Sequence, residues 1–105
     1  VNKNIQIMIQ YNISLFFENS IEAKAQMALQ KIILPELAAW TFIDQVHLFE
    51  ITSHQEPDSK GYSVQCLISD FDDSHGTAIE SIISEFFQKE FANQFVYFPS
   101  QLKKC

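Results

Sequence analysis

The residues able to do chemistry in this chain are few, and their spacing limits what they can do. Its 105 residues include three histidines and two cysteines. His47 falls within an apolar stretch, whereas His54 and His75 stand in polar segments that suit solvated side chains. His47 is therefore the one candidate for acid–base work, which needs a titratable group whose surroundings tune it. Cys66 sits among alternating apolar residues and reads as a small buried hydrophobe, while Cys105 is far from it in sequence. The pair suits neither a disulfide framework nor a set of clustered metal ligands. Asp70-Phe71-Asp72-Asp73-Ser74-His75-Gly76 invites a calcium reading, but the register fails. The sixth position is His75 where the calcium loop needs Gly, and the twelfth is Ser81 where it needs Glu. Two glycines cannot build a glycine-rich phosphate loop, and no Ser or Cys has a recognisable activating partner. The expectation is no metal and no cofactor.

Charge narrows the partners. Thirteen acidic residues stand against seven basic ones, for a net charge of −6, and every basic residue is Lys. Nucleic-acid recognition leans on a positive footprint and on the bidentate reach of Arg, so a nucleic-acid partner is not expected. No run approaches the roughly 18 to 20 apolar residues of a membrane helix, and the beginning of the sequence lacks the layout of an export signal. A soluble, cytoplasmic protein without a membrane partner is expected. The length suits one domain over residues 1–105, and a hydrophobic fraction of 47% is ample for a packed core.

The elements that must position these residues are legible from periodicity. Gly61 to Ser69, ended by Asp70, places Tyr62, Val64, Cys66 and Ile68 on one face of a strand. Ser63, Gln65 and Ser69 fall on the other face, with Leu67 breaking the polar set. Earlier, Ile5, Ile7, Ile9, Tyr11, Ile13, Leu15 and Phe17 alternate with Gln6, Met8, Gln10, Asn12, Ser14 and Phe16. The first Met is Met8, so Val1 to Ile7 is a candidate N-terminal extension, and the strand is expected from about Met8. Asn19 and Glu22 have capping-box spacing, and Ile21, Ala25, Ala28, Leu29 and Ile32 form a helical stripe. Pro35 predicts a break at Leu34, then a short helical segment carrying Trp40. Phe42 to Ile51 reads as a strand apolar on both faces, a pattern of strands covered on both sides. The polar stretch Ser53 to Gly61 reads as a hairpin connection. Thr77 and Glu80 offer a second capping box for a helix with the stripe Ile79, Ile82, Ile83, Phe86 and Phe87. Asn93 suits the left-handed turn that ends it, and Phe95 to Phe98 is a short strand stopped by Pro99.

The resulting order, strand, helix, strand, strand, helix, strand, is the ferredoxin-like βαββαβ arrangement of the α+β class. It places two helices on one face of a four-stranded antiparallel sheet whose central strands are the first and third. One helix layer covers one sheet face. The open face would carry Gln10, Asn12, Ser14, Ser63, Gln65 and Leu67 at its middle, with apolar groups from the outer strands around them. A second copy packed face to face would enclose a cavity with a few polar groups and an apolar rim, the usual character of a small-molecule site. The candidate ligand-binding residues are Asn12, Ser14, His47, Ser63, Gln65 and Leu67, and the expected partners are a second copy and a small molecule.

Four segments carry a resemblance: Tyr11 to Ser14, Ile33 to Leu37, Tyr62 to Cys66 and Phe91 to Phe98. Together they resemble a bacterial domain-of-unknown-function family, similar to the dimeric alpha-beta barrel group, over nearly the whole chain from Met8. The resemblance implies the fold and a dimer but no activity. Relatives often carry His where this chain has Ile33 and Gly where it has Ala92. A site built on that His is therefore absent here. Three functional readings follow: a dimeric small-ligand-binding or interaction module, a cofactor-independent enzyme of oxygenase or isomerase type, and a ligand-sensing domain. The mark of the enzyme would be a closed pocket in which His47 or Tyr97 meets Asn12 and Gln65.

Overall fold

The computed structural model describes residues 7–53 and 55–105. Val1 to Gln6, with Ile5 of the expected first strand, lie outside the described residues, as does His54 of the hairpin connection. Strand β1 (Ile9–Glu18) leads through a single 3-10 turn (Asn19–Ile21) into helix α1 (Glu22–Ala28). A π-helical turn (Leu29–Ile33) joins α1 to α2 (Leu34–Ala38), and β2 (Gln45–Ile51), β3 (Ser59–Ile68), α3 (Asp73–Phe91) and β4 (Phe95–Leu102) follow. The four strands pair antiparallel in the order β2-β3-β1-β4, so β1 and β3 are central. This is the ferredoxin-like α+β fold.

Alternation in the central strands does what their sequence predicts. Ile9, Tyr11, Ile13, Leu15 and Phe17 of β1 and Tyr62, Val64, Cys66 and Ile68 of β3 are all buried. They meet Ala25, Leu29, Ile33 and Leu37 from the first helical stretch and Ile79, Ile83 and Phe87 from α3 in one hydrophobic cluster. Burying such side chains stabilises by about 1.5–3 kcal/mol each, which makes this layer the main cohesive contact of the molecule. Rings fill its centre, Phe17 lying 5.1 Å from Phe87 between centroids. At the start of α3, Gly76 faces the Tyr11 ring so closely that an added Cβ would come within 2.8 Å of it.

Several local expectations are corrected. Asn19 and Glu22 form no capping box, because both are engaged across the fold. Asn19 donates its side-chain amide to the Pro57 carbonyl at 2.8 Å, and Glu22 accepts from the Tyr62 hydroxyl at 2.6 Å. Pro35 does not break the helix: Leu34 keeps right-handed helical geometry, and its N–H donates to the Leu29 carbonyl five residues back. The wide turn accommodates a proline that cannot donate, and it carries the buried stripe from Leu29 through Ile33 to Leu37. Ile32 is consequently exposed rather than buried. Trp40 lies in the turn after α2, outside the helix.

Helix α3 begins four residues before Thr77. Asp72 is its N-cap, accepting from the Ser74 N–H at 3.0 Å, while the Asp72 N–H donates to His75 Nδ1 at 3.1 Å. This reciprocal pair supplants the expected box at Thr77 and Glu80. The helix ends as expected, with Asn93 in the left-handed region at φ 67°. Strand β2 starts at Gln45, three residues later than expected, and β4 runs past Pro99 to Leu102. Pro99 is tolerated because β4 is an edge strand with one unpaired side, and its pairing with Ile13 leaves the ladder intact before and after it.

Candidate functional site

The site is the sheet face turned away from the helices, and the strand register builds it row by row. His47 of β2 lies opposite Gln65 of β3, which lies opposite Asn12 of β1, which lies opposite Ser100 of β4. The next row is Phe49, Ser63, Ser14 and Phe98. On the other side of the first row stand Gln45, Leu67, Gln10 and Leu102. Polar side chains thus occupy the central strands, with apolar ones mostly on the outer strands. The extra length of β4 beyond Pro99 is what brings Ser100 and Leu102 into these rows.

The central polar groups bond to one another. Ser63 Oγ donates to Asn12 Oδ1, and Asn12 Nδ2 donates to Ser14 Oγ at 3.0 Å and to Ser100 Oγ at 3.2 Å. Gln65 Nε2 donates to Ser63 Oγ at 3.1 Å, and Gln10 Nε2 donates to Gln65 Oε1 at 2.9 Å. Asn12 and Ser63 are buried even in a single copy. Both amide protons of Asn12 and its carbonyl are engaged, so its side chain is held in one orientation. Among the described residues, no side chain accepts the hydroxyl protons of Ser14 and Ser100 or the second amide protons of Gln10 and Gln65. Amides and aliphatic hydroxyls do not titrate near neutral pH, so the network can recognise hydrogen-bonding groups without itself exchanging protons.

Of the six candidate residues, the structure joins Asn12, Ser14, Ser63 and Gln65 in this network. His47 is beside Gln65 in register but turns to Gln45, its Nε2 lying 3.1 Å from Gln45 Oε1, and it is exposed. Leu67 belongs to the row of Gln45, Gln10 and Leu102 and lines a groove at that end of the face. Tyr97 lies on the helix side of the sheet, where its hydroxyl donates to Glu80 at 3.1 Å. Within one copy the sheet thus separates Tyr97 from Asn12 and Gln65, and the His47 ring is turned from them toward Gln45. A strand end at Pro99 leaves Ser100 out of the sequence-based site, although Val96, Phe98, Ser100 and Leu102 keep a period of two through it.

The remaining groups of chemical interest serve the fold. Burial pushes the Cys66 thiol up to about 12, which keeps it protonated and unreactive. Burial, aided by the Glu22 carboxylate, likewise raises Tyr62 above the ordinary tyrosine value. The two hydrogen bonds from Ser74 hold the Asp72 carboxyl below the usual carboxylate value. Among the described residues, no group of three or more His, Cys, Asp or Glu is placed to hold a metal ion, and no helix is long and apolar enough to cross a membrane.

No protein-family model matches the chain, and no curated protein matches it. Among solved structures, the chain is similar to a dimeric ferredoxin-like protein of unknown function from Thermobifida fusca. That likeness has 18% identity and a TM-score of 0.52, over 96% of this chain and 97% of that chain. A PII-like signalling protein of Thermus thermophilus is 8% identical at a TM-score of 0.43, over 93% of this chain and 90% of that one. CPII of Thiomonas intermedia, bound to ADP, AMP and acetate, is 11% identical at a TM-score of 0.47, over 96% and 93%. At these identities the likeness concerns the fold, and the resemblance drawn from the four segments stands at that level.

Proposed function

We propose that this chain is a single-domain, cytoplasmic, homodimeric module that binds a small ligand or a partner on its open sheet face. The observation that carries this reading is the layout of that face. A bonded polar centre is flanked by large apolar side chains that water alone covers in one copy. Phe49 is 50% exposed on one outer strand, and Phe98 and Val96 are 58% and 54% exposed on the other. Large apolar side chains exposed on both flanks of a face point to an interaction surface. A second copy related by a two-fold axis would bury both aromatic flanks and leave the Asn12 network facing its own counterpart across an enclosed space. Such a space, apolar at its rim with a few fixed polar groups, has the composition of small-molecule sites. Two free cysteines, one buried and one exposed, accord with a reducing compartment.

Native mass spectrometry of the chain, purified directly from cells, tests the reading. The expected species has twice the chain mass plus a retained small molecule. A bare single chain under conditions that preserve known dimers would overturn it.

A further inference from the structure

At the Met8 end of the open face the surface changes character. The row Leu67, Gln10 and Leu102 floors a groove of about 410 Å³, and Ile7, Met8, Lys103 and Lys104 complete its lining. That volume is within the range of small-molecule sites. The lining comprises four apolar side chains, one amide and two ammonium groups, with no carboxylate. On a chain of net charge −6 this is a local inversion of sign, since two of only seven basic residues stand side by side at the groove. Among the described residues the single ion pair joins Lys60 to Glu50, so neither Lys103 nor Lys104 is neutralised by a protein carboxylate there.

We infer that this groove binds a small monocarboxylate with an aliphatic or aryl tail. The tail covers Met8, Leu67 and Leu102, which are otherwise open to water, with Met8 55% and Leu102 46% exposed. The carboxylate lies between the two ammonium groups, and the Gln10 amide supplies a hydrogen bond at the boundary between the two. Long, flexible lysine stems suit this task, because the charged heads stay hydrated while the methylene chains line the groove. Elsewhere the acidic surface repels an anion, which directs it to this end of the sheet. The inference deepens the reading of the open face as a ligand-binding surface and rests on it, but not on the pairing of two copies.

The test is a titration of the isotopically labelled chain with octanoate below its micelle concentration, followed by backbone amide signals. Octylammonium, with the same tail and opposite charge, runs in parallel, as does the double variant Lys103→Glu/Lys104→Glu. Both lysines are exposed, so the variant is expected to fold. Octanoate should shift the signals of Met8, Gln10, Leu67 and Leu102 saturably at about millimolar concentration. Octylammonium should not, and the double variant should bind octanoate about tenfold more weakly, the size of two solvent-exposed ion contacts. Equal binding of the two probes, or unchanged affinity in the variant, would overturn the inference. So would binding to anionic vesicles without any response to monomeric octanoate. Signals at Gln10 and Leu67 that respond only to protein concentration would assign the groove to a second copy instead. A dimer that ignores octanoate would defeat this inference and leave the proposed pairing standing; a monomer that binds octanoate would do the reverse.

Discussion

Asn12 is the residue on which the candidate site turns. It is buried, on a central strand, and its carbonyl and both amide protons are bonded to Ser63, Ser14 and Ser100. Removing one member of such a set strands its partners: with Asn12→Ala the Ser63 hydroxyl loses its acceptor in a buried position. The expected loss of stability is about 1–3 kcal/mol, read from urea unfolding, and Asn12→Asp should not restore the network because it cannot donate. An unchanged unfolding midpoint in Asn12→Ala would show that the network is incidental. The polar identity of Asn12, Ser14, Ser63 and Gln65 and their common face are legible in the sequence, because strand alternation fixes which way each points. Which of them bond is not legible, since that depends on cross-strand register. His47 shows the limit: its strand could be read, but its turn toward Gln45 could not.

At the scale of elements, the central strands and most of the helix stripes follow from period alone, Ile32 being the exception, whereas most element ends do not, Asn93 being the exception. A cap is a local device with tertiary competitors. Asn19 and Glu22 have the right spacing and are taken by Pro57 and Tyr62, while Asp72 caps α3 with His75, a partner that capping-box rules do not include. Proline shows the same dependence on context. Pro35 enters a helix because a π turn precedes it, and Pro99 enters a strand because that strand is an edge. The Asp72 cap has a pH signature. Its carboxyl is held low in the folded chain by the Ser74 hydrogen bonds. A lowered folded value means its contribution is complete above the ordinary carboxylate value and is lost as pH falls through the folded one. Asp72→Asn keeps a capping oxygen and removes the titration. The difference in urea midpoint between the two proteins should therefore shrink as pH is lowered from about 5 to about 2, and a difference constant over that range would contradict this role for the carboxylate.

For the whole molecule, the helix layer covers one sheet face and leaves the other open. Sequence alternation alone predicts that asymmetry, since Val64 belongs to the buried face and Gln65 to the open one. It predicts an apolar rim from the outer strands but not which residues form it, because β2 and β4 carry apolar residues on both faces and only the register puts Phe49 and Phe98 in one row. Nor does it disclose the groove at the Met8 end, which needs the strand to continue beyond Pro99. The proposed pairing of two open faces places Phe49 and Phe98 in the contact. Both are exposed in a single copy, so replacing them by Lys should leave the fold intact while putting charge into the interface. Sedimentation equilibrium of the native chain beside Phe49→Lys/Phe98→Lys tests this most directly. The native chain is expected at twice its own mass at about 10 μM and the variant at its single mass, with matching circular dichroism. A native chain that stays single up to about 100 μM, or a variant that pairs as tightly as the native chain, would contradict it.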